Sequence, residues 1–327
     1  MTPLCVGTRG KKIEVEKYVL SNVLVATNFS EGASWAIVRA CLLPLARAAK
    51  LLLLHVIPDT LSAELRREAE VKAHNDLQSA AASAAQAALV GDLVVETEIS
   101  VGKPFAEIVR RARQIGAELT VIGRHGYTPA RDLFISSTAT RVIRTGDVPV
   151  LVVSRKPMLP YRHPLLAVDV ENASPRIVEV AAQLLGTAVK RVPVVHAYHA
   201  PFEGWIRPSL TQAELSTYRR SFRDQASAQF INLIRSLSDL RFQLKAVMRE
   251  GDARSVILRE ISRRRSDLVA LGTHDRSGLS RALLGSVAET IVEAAPCDVL
   301  VVRPTGFTSE HRLAVREQIG RLFYTAR

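Results

Sequence analysis

The residue types best suited to chemistry in this chain are glycines and serines that recur in two similar segments. The first segment, residues 121–153, carries Gly123, and the second, residues 271–302, carries Gly272. Each segment consists of an apolar run, a glycine-containing loop, a serine and a second apolar run. Matching positions keep a constant separation of 149 residues, as from Gly123 to Gly272. A constant separation through a whole unit of this kind indicates a duplicated domain.

These residue types suit the binding of a phosphate group. Glycine lets the backbone approach a phosphate closely, and a helix N-terminus offers free N–H groups and the positive end of its dipole. Ser137 and Ser286 stand where the next helix is predicted to begin, and a serine there can cap the helix and donate to a phosphate oxygen. The pattern therefore predicts a nucleotide-phosphate cradle, with a plain strand-to-helix turn as the open alternative.

Two histidines inside the loops leave a similar choice. A neutral imidazole at His125 or His274 could donate a hydrogen bond to a phosphate, or it could hold its loop closed. The sequence does not decide between these two roles.

Apolar strands alternate with helical segments over short connections, which predicts an α/β doubly wound parallel sheet with helices on both faces. In the first half we predict strands at 18–27, 51–57, 93–101, 119–122 and 148–153, and helices at 33–50, 61–90, 104–114 and 138–145. In the second half we predict strands at 165–170, 191–198, 241–249, 268–271 and 298–302, and helices at 174–187, 212–237, 253–264 and 286–295.

These elements divide the chain into two domains with three connecting or terminal segments. The predicted units are a leader at 1–17, a first domain at 18–154, a linker at 155–162, a second domain at 163–304 and a basic tail at 305–327. Prolines and basic residues interrupt every apolar period in the linker. The tail is either a helix packed on the body or an arm that binds a partner.

The candidate binding residues follow from this topology, because parallel sheets bind ligands at the carboxyl ends of their strands. Asn28 and Asp169 follow the first strand of each half, and Gly102 and Gly251 follow the third. The full candidate set is Asn28, Val56, Gly102, Gly123, His125, Gly126, Ser136, Ser137, Asp169, Gly251, Gly272, Gly285 and Ser286.

At these loops the sequence resembles the universal stress protein family. The family signature is Gly, two residues, Gly, nine residues, then Gly-Ser or Gly-Thr, and residues 272–286 read G-T-H-D-R-S-G-L-S-R-A-L-L-G-S. Residues 23–34, V-L-V-A-T-N-F-S-E-G-A-S, resemble the family's first strand and turn. The resemblance implies a tandem protein of two Rossmann-like (adenine nucleotide alpha hydrolase-like) domains, each with a five-stranded parallel sheet. It further implies ATP or AMP binding in one branch of the family and no nucleotide in another.

Both halves depart from the signature. Ser136 replaces a glycine in the first half, and Asp275 replaces the second glycine in the second half. A carboxylate facing a triphosphate adds like-charge repulsion of roughly 1 kcal/mol. Asp169 keeps the acidic residue for which the resemblance implies a nucleoside contact, whereas Asn28 replaces it in the first half and can still accept a hydrogen bond. We therefore expect at most one well-formed site, with the first half slightly favoured because serine adds bulk without charge.

The remaining composition limits partners and location. The net charge of +12 is spread over both halves, which predicts no specific nucleic-acid partner but leaves adventitious contact with anionic polymers open. No apolar run reaches the roughly 18 residues that span a bilayer, so we expect no membrane insertion. Cys5, Cys41 and Cys297 are scattered without a C-x-x-C pair, which predicts a cytoplasmic protein.

No residue pattern nominates a catalytic site or a resident metal. There is no credible triad, carboxylate pair or G-x-x-x-x-G-K-[ST] loop, so we predict a non-enzyme, with slow ATP hydrolysis as an open alternative. His196 and His199 would point to opposite faces of a strand, which disfavours metal binding. No metal is predicted beyond Mg²⁺ accompanying ATP.

The last strand of each half is the expected contact between the halves. In the resembled family these strands pair between subunits, and a tandem chain can pair residues 148–153 with 298–302 within itself. A homodimer stays possible beyond that. The sequence thus predicts a non-catalytic stress-response module that binds an adenine nucleotide weakly or in one domain only. The alternative is a nucleotide-free scaffold that acts through protein partners not yet known.

Overall fold

Strands and helices alternate along the chain in the computed structural model, which describes residues 18–124, 138–170, 175–200, 209–237, 240–273 and 284–303. The first repeat contains β1 Leu20–Thr27, α1 Glu31–Cys41, β2 Leu45–Ile57, α2 Ala63–Ala87, β3 Val94–Val101, α3 Pro104–Gln114, β4 Leu119–Gly123, α4 Thr138–Thr145 and β5 Val150–Val153. The second repeat contains β6 Pro164–Ala167, α5 Pro175–Leu184, β7 Arg191–Tyr198, α6 Gln212–Ser236, β8 Gln243–Glu250, α7 Ala253–Arg264, β9 Leu268–Gly272, α8 Ser286–Ala294 and β10 Asp298–Val302.

All of these strands join one sheet in the order β3-β2-β1-β4-β5-β10-β9-β6-β7-β8. Strands within each repeat pair in parallel, and β5 pairs with β10 antiparallel, with Leu151 opposite Leu300. The predicted pairing of the two closing strands within the chain is therefore confirmed. Because the junction is antiparallel, the strands of the two repeats run in opposite directions. The carboxyl ends of the strands in one repeat therefore lie at the opposite side of the sheet from those in the other repeat.

Two apolar layers cover the sheet, one on each face. Alternate residues of β1 point to opposite layers, with Val23 and Val25 in one and Leu24 in the other. The first layer lies under α1, α2, α5 and α6, and the second under α3, α4, α7 and α8. Burial on both faces explains why the strands are continuous apolar runs. It also confirms the predicted doubly wound architecture.

Capping residues define the starts of several helices. Ser30 accepts from the Ala33 amide at 3.3 Å before α1, and Thr211 with Glu214 forms a reciprocal capping box before α6. Such caps satisfy amides that have no partner within the helix, and each contributes about 1 kcal/mol. Pro104 opens α3, as the sequence predicts, because its missing N–H is not needed in the first turn.

The predicted helix at 33–50 is wrong beyond Cys41. Residues 45–50 belong to β2, although their alanine, arginine and lysine content favours a helix. Pro44 ends the helical path, and its carbonyl accepts from the Leu20 amide at 3.0 Å. The strand pairing then shifts register between Leu20 and Asn22, and Ala48 takes a positive φ of 52°. Pairing with β1 therefore outweighs local propensity.

Other element ends differ from the prediction by a few residues. The strand predicted at 165–170 ends at Ala167, and the helix predicted at 174–187 spans Pro175–Leu184. Strand ends are poorly marked in the sequence because the chain can leave the sheet without a change in composition. Within the described ranges, no helix combines the length and apolar character that crossing a bilayer requires.

A buried polar cluster joins the two repeats and was not predicted. The Asp298 carboxylate accepts from Arg39 Nε at 2.9 Å, from the Tyr161 hydroxyl at 2.7 Å and from the Ser154 amide at 3.0 Å. Arg39 also donates to the Leu159 carbonyl at 2.8 Å and lies 4.1 Å from the Tyr161 ring centroid. Burial, reinforced by Asp298, raises the pKa of Tyr161 well above its usual value. The cluster thus ties α1, the linker and β10 together in a water-free setting.

Candidate functional site

In the first repeat the candidate residues lie along the carboxyl edge of β3, β2, β1 and β4. Asn28 follows β1 and Gly123 ends the neighbouring β4, so the sheet brings these two together. Gly102 lies two strands away, after β3. The Val56 side chain is buried in the apolar layer, so only its backbone could serve a ligand. His125, Gly126, Ser136 and Ser137 lie outside the described residues.

The Asn28 side chain is engaged in building its own turn. Its Oδ1 accepts from the Ser30 amide at 3.2 Å and from the Ser30 hydroxyl at 2.6 Å. The Ser30 oxygen then caps α1. The acceptor role that the sequence suggests for Asn28 is therefore used within the turn, and its amide donors remain for a ligand.

Gly123 is explained by packing inside the first repeat. A Cβ at Gly123 would lie 2.2 Å from the Gly32 carbonyl oxygen, and one at Gly32 would lie 2.4 Å from the Arg124 carbonyl oxygen. The first turn of α1 thus rests directly on the end of β4, backbone against backbone. Glycine is required here whether or not a phosphate binds.

Gly272, the matching residue of the second repeat, has a different environment. A Cβ there would meet the tip of the Ile177 side chain at 3.0 Å, and the next atom, the Val302 carbonyl oxygen, at 3.8 Å. A flexible side-chain end can move aside at small cost, so packing against the described residues does not require glycine at this position; residues 173 and 174, which match Gly32 and Ala33, lie outside the described ranges. Another reason for a glycine at this position is that it lets a ligand, such as a phosphate, approach the protein backbone closely.

The helix that follows this loop in the second repeat begins at Ser286. Gly285 is the N-cap of α8 and provides no side-chain cap. Its amide donates to the Thr273 carbonyl at 3.2 Å, which ties the two ends of the loop together. Ser286 is exposed as the first helical residue. The first-turn amides of α8 therefore form an N-terminus of the kind that binds anions.

The second repeat brings Asp169 to the same edge of the sheet. Asp169 follows β6 by two residues and is half-buried, and β6 pairs with β9, which ends at Gly272. His274 and Asp275 fall outside the described residues. The structure therefore places Asp169, Gly272, Gly285 and Ser286 on neighbouring elements at one edge.

Gly102 and Gly251 are equivalent turn residues. Their φ angles are 152° and 133°, and their amides donate to Ile57 and Tyr198, each at 2.9 Å. Side chains rarely adopt such angles, so both glycines are explained by the turn that ends the third strand. Neither carries information about a ligand on its own.

A histidine shared by both repeats was missed in the sequence. His55 Nδ1 lies 2.9 Å from the Thr27 carbonyl, and His196 Nδ1 lies 3.1 Å from the Val168 carbonyl. A carbonyl only accepts, so Nδ1 carries the proton, and Nε2 is the acceptor in the neutral ring. The sequence alone could have revealed that these histidines match. They are 141 residues apart, which is also the separation between Asn28 and Asp169.

The surroundings of these two histidines differ. Phe29, with a positive φ of 60°, stacks on His55 at a centroid distance of 4.5 Å. His196 is buried beside Phe230, with 5.7 Å between ring centroids, whereas His199 is exposed beyond the strand. Within the ranges that the structure describes, no three potential metal ligands cluster.

Arg124, directly after β4 in the first repeat, contacts the second repeat, a contact that was not predicted. Its Nη1 donates to the Ala295 carbonyl at 2.9 Å, and its amide donates to Val153 at 2.7 Å. Burial lowers the pKa of Arg124, and Glu293 opposes that shift. The end of α8 therefore holds Arg124, where the predicted phosphate-binding loop of the first repeat begins.

Comparisons with known proteins agree on one family. Residues 20–154 and 160–303 each match the model of the universal stress protein family. Universal stress protein A homolog 1 of Coxiella burnetii is 28% identical over 149 residues, covering 43% of this chain and 96% of that protein. Universal stress protein E of Escherichia coli K12 is 25% identical over 217 residues, covering 62% of this chain and 66% of that protein.

A solved structure shows the same fold over both repeats. A universal stress protein from Archaeoglobus fulgidus matches 86% of this chain and 98% of its own, with a TM-score of 0.62 and 16% identity. At that identity the likeness concerns the fold alone.

Proposed function

The chain belongs to the universal stress protein family as a tandem member, and from that premise we propose that it is a non-catalytic stress-response module that binds ATP or AMP in one repeat only. The binding is weak and acts through conformation or partner contact. The observation that carries the proposal is the placement of Asp169, Gly272 and the start of α8 on neighbouring elements at the carboxyl ends of β6 and β9.

We place the single site in the second repeat. Asp169 is suited to a nucleoside hydroxyl, while the first-turn amides of α8 and the Ser286 hydroxyl are suited to phosphate oxygens. The residue comparison alone favours the first repeat, because Asp275 adds a negative charge to the second loop. We give more weight to the second repeat because Asp169, Gly272 and the start of α8 lie on neighbouring elements there.

The charge of Asp275 makes the site weak. Like-charge repulsion of about 1 kcal/mol corresponds to roughly a fivefold loss of affinity for a triphosphate. AMP carries less charge and suffers less from that repulsion. Mg²⁺ would arrive with ATP, because it prefers phosphate oxygens together with water ligands.

The non-catalytic role rests on how the polar groups of both edges are used. Nδ1 of His55 and of His196 faces a strand-end carbonyl, and Asn28 holds its own turn. These bonds hold the side chains as part of the strand ends, and the residue pattern of the chain nominates no nucleophile and base that would use them. A module of this kind suits the cytoplasm, where adenine nucleotides are abundant.

A nucleotide-free scaffold acting through protein partners is the second candidate. It is favoured by the first repeat, where the packing of Gly32 on Gly123 accounts for the glycine without any ligand. Mass spectrometry of the purified native protein separates the two candidates. Co-purified AMP or ATP supports the binding module, and its absence together with no affinity in titration supports the scaffold.

Isothermal titration with ATP and AMP tests the proposed site. Asp275→Gly should bind ATP roughly fivefold more tightly than the wild type, with a smaller gain for AMP. Asp169→Asn should weaken both nucleotides. The matched control is Gly126→Asp, which places the same charge in the first loop and should leave both affinities unchanged.

Two results would overturn the assignment. If neither the wild type nor Asp275→Gly binds nucleotide, the binding claim fails for both repeats. If Gly126→Asp abolishes binding while Asp275→Gly changes nothing, the site lies in the first repeat.

A further inference from the structure

A second concave surface lies at the opposite end of the second repeat from the proposed nucleotide site. It is a cavity of about 660 Å³ between the end of α6 and the starts of β7 and β8. Its walls include the aliphatic side chains of Ile234, Leu237 and Leu244 and the ring of Phe242. The volume lies within the range of small-molecule sites, which is about 300–1,000 Å³.

The rim of this cavity is cationic. Lys190, Arg191 and Arg241 line it, and the other polar side chain in its described lining is Gln243, which is uncharged. Lys190 and Arg191 are exposed at the entrance, whereas Arg241 is half-buried. An apolar wall with cations at its mouth is complementary to a molecule with an apolar body and one anionic head.

Arg241 is held in place beside the cavity. Its Nη2 donates to the Ala182 carbonyl at 2.6 Å, and its guanidinium lies 5.2 Å from the Tyr18 ring centroid. Its Nε is buried without a hydrogen-bond partner in the described structure. Burial lowers the pKa of Arg241, because partial loss of water disfavours the charged form of the guanidinium, and Tyr18 opposes that shift.

The first repeat shows that the fold does not require these cations. Aligning Gly102 with Gly251 places Asp92 at the position of Arg241, which reverses the charge. Aligning Ile57 with Tyr198 places Lys50 at the position of Arg191, and Lys50 pairs with Glu96 at 3.6 Å. Among the described residues of the lining no acidic side chain offsets this positive charge, whereas the matching Lys50 of the first repeat has Glu96 as its partner.

We propose that this cavity binds a small amphipathic anion, an acyl chain ending in a carboxylate. The apolar walls take the chain, and Lys190, Arg191 and Arg241 take the head group. The site lies at the amino ends of β7 and β8, whereas the nucleotide cradle lies at the carboxyl ends of β6 and β9. The two sites are therefore separate, and this inference stands whether or not nucleotide binds.

Calorimetric titration of the full chain with decanoate tests the proposal. Decanoate below its micelle-forming concentration should bind at one site, about tenfold or more tightly than decanol, because decanol lacks the charged head. Acetate, which lacks the chain, and decyltrimethylammonium, which reverses the charge, should not bind measurably. Equal binding of decanol and decanoate, or no binding of decanoate, would overturn the proposal.

Variants locate the site. Arg191→Gln and Lys190→Gln are exposed changes that should each weaken decanoate several-fold, and Arg241→Gln should weaken it about tenfold. The matched control is Arg47→Gln, an exposed charge at the amino edge of the first repeat. If Arg47→Gln weakens decanoate as much as Arg191→Gln does, the effect is general charge and the site is rejected.

A vesicle experiment separates a free carboxylate from a membrane surface. The protein should not sediment with vesicles of phosphatidylglycerol at physiological salt, because the cavity takes a single chain. Sedimentation that Arg191→Gln abolishes, without decanoate binding in solution, would replace the proposed ligand with an anionic lipid surface.

Discussion

The two repeats share one topology but use their matching residues differently. Gly123 is needed because the first turn of α1 rests on it, whereas the nearest described atom to a Cβ at Gly272 belongs to the tip of Ile177. Asn28 accepts hydrogen bonds within its own turn, and Asp169 stands at the same place in the second repeat. A motif residue can thus have different described neighbours in the two copies of one fold.

The contact between the repeats is also asymmetric. Asp298 in β10 is fully buried and receives Arg39, whereas Pro149 occupies the matching position before β5. A symmetric dimer would form such a cluster twice or not at all. In the tandem chain the two sides have diverged, and one buried polar cluster serves both repeats.

The largest expected effect tests that asymmetry. Asp298→Ala leaves the Arg39 guanidinium buried without its partner, which should lower the free energy of unfolding by about 3–5 kcal/mol. The matched control is Asp147→Ala, which removes an exposed ion pair with Arg113 and should cost less than about 1 kcal/mol. Urea unfolding measures both. Equal losses would show that the buried cluster contributes no more than a surface pair.

The second prediction tests the glycine contrast. Gly123→Ala places a methyl group 2.2 Å from a backbone oxygen, so the strand end or α1 must shift. We expect a loss of about 1–3 kcal/mol in the free energy of unfolding. Gly272→Ala should cost less than about 1 kcal/mol, because Ile177 can change rotamer. Thermal and urea unfolding of the two variants would contradict the contrast if Gly272→Ala were the more damaging change.

The third prediction concerns the carboxylate of Glu260 in α7. The matching residue in α3 of the first repeat is Arg111. Burial alone would raise the pKa of Glu260, but hydrogen bonds from Arg263, Arg249 and Arg264 lower it to about 2. A lowered pKa stabilises the fold above the ordinary value of 4.5, and that stability is lost as the pH falls from there towards 2.

We expect this loss to be about 1–2 kcal/mol, since the arginines are partly exposed and screened. Unfolding of the wild type and of Glu260→Gln should be compared between pH 6 and pH 3, a range chosen around the usual pKa of about 4.3 for glutamate. The variant should lose less stability than the wild type as the pH falls. Parallel pH profiles would show that Glu260 does not contribute.

The smallest effect tests a bridge across the repeats. Arg144 in α4 pairs with Glu289 in α8, and both side chains are 35% exposed. Arg144→Ala should cost about 0.5 kcal/mol, and a double-mutant cycle with Glu289→Ala should give a coupling of similar size. A coupling above about 2 kcal/mol would mean that the pair acts as part of the interface core.

Much of the fold was predictable because it depends on local patterns. Buried parallel strands are continuous apolar runs, and α4, β7, α7 and β10 have the predicted bounds. The constant separation between matching glycines identified the duplication. The one large error, the helix at 45–50, arose because residues with helical propensity were taken into a strand by pairing with β1.

The site could be predicted only in part. The sequence predicted Asp169, Gly272, Gly285 and Ser286 as binding residues, and the structure shows them on neighbouring elements; their role in binding stays a prediction. It did not reveal that Ser30 engages Asn28 or that Arg124 reaches Ala295. Residue type shows what a side chain can donate or accept, but its partner depends on which elements lie beside it.

The sequence by itself determined the fold class, the duplication and the residues that stand at the strand ends. Only the tertiary structure decided which backbone Gly123 packs against, where the two repeats share the Arg39–Asp298 cluster and which described side chains bring cations to the surface between α6, β7 and β8. The physical reason is distance along the chain. Periodicity records whether a residue faces the core, whereas a contact between side chains 259 residues apart leaves no local pattern.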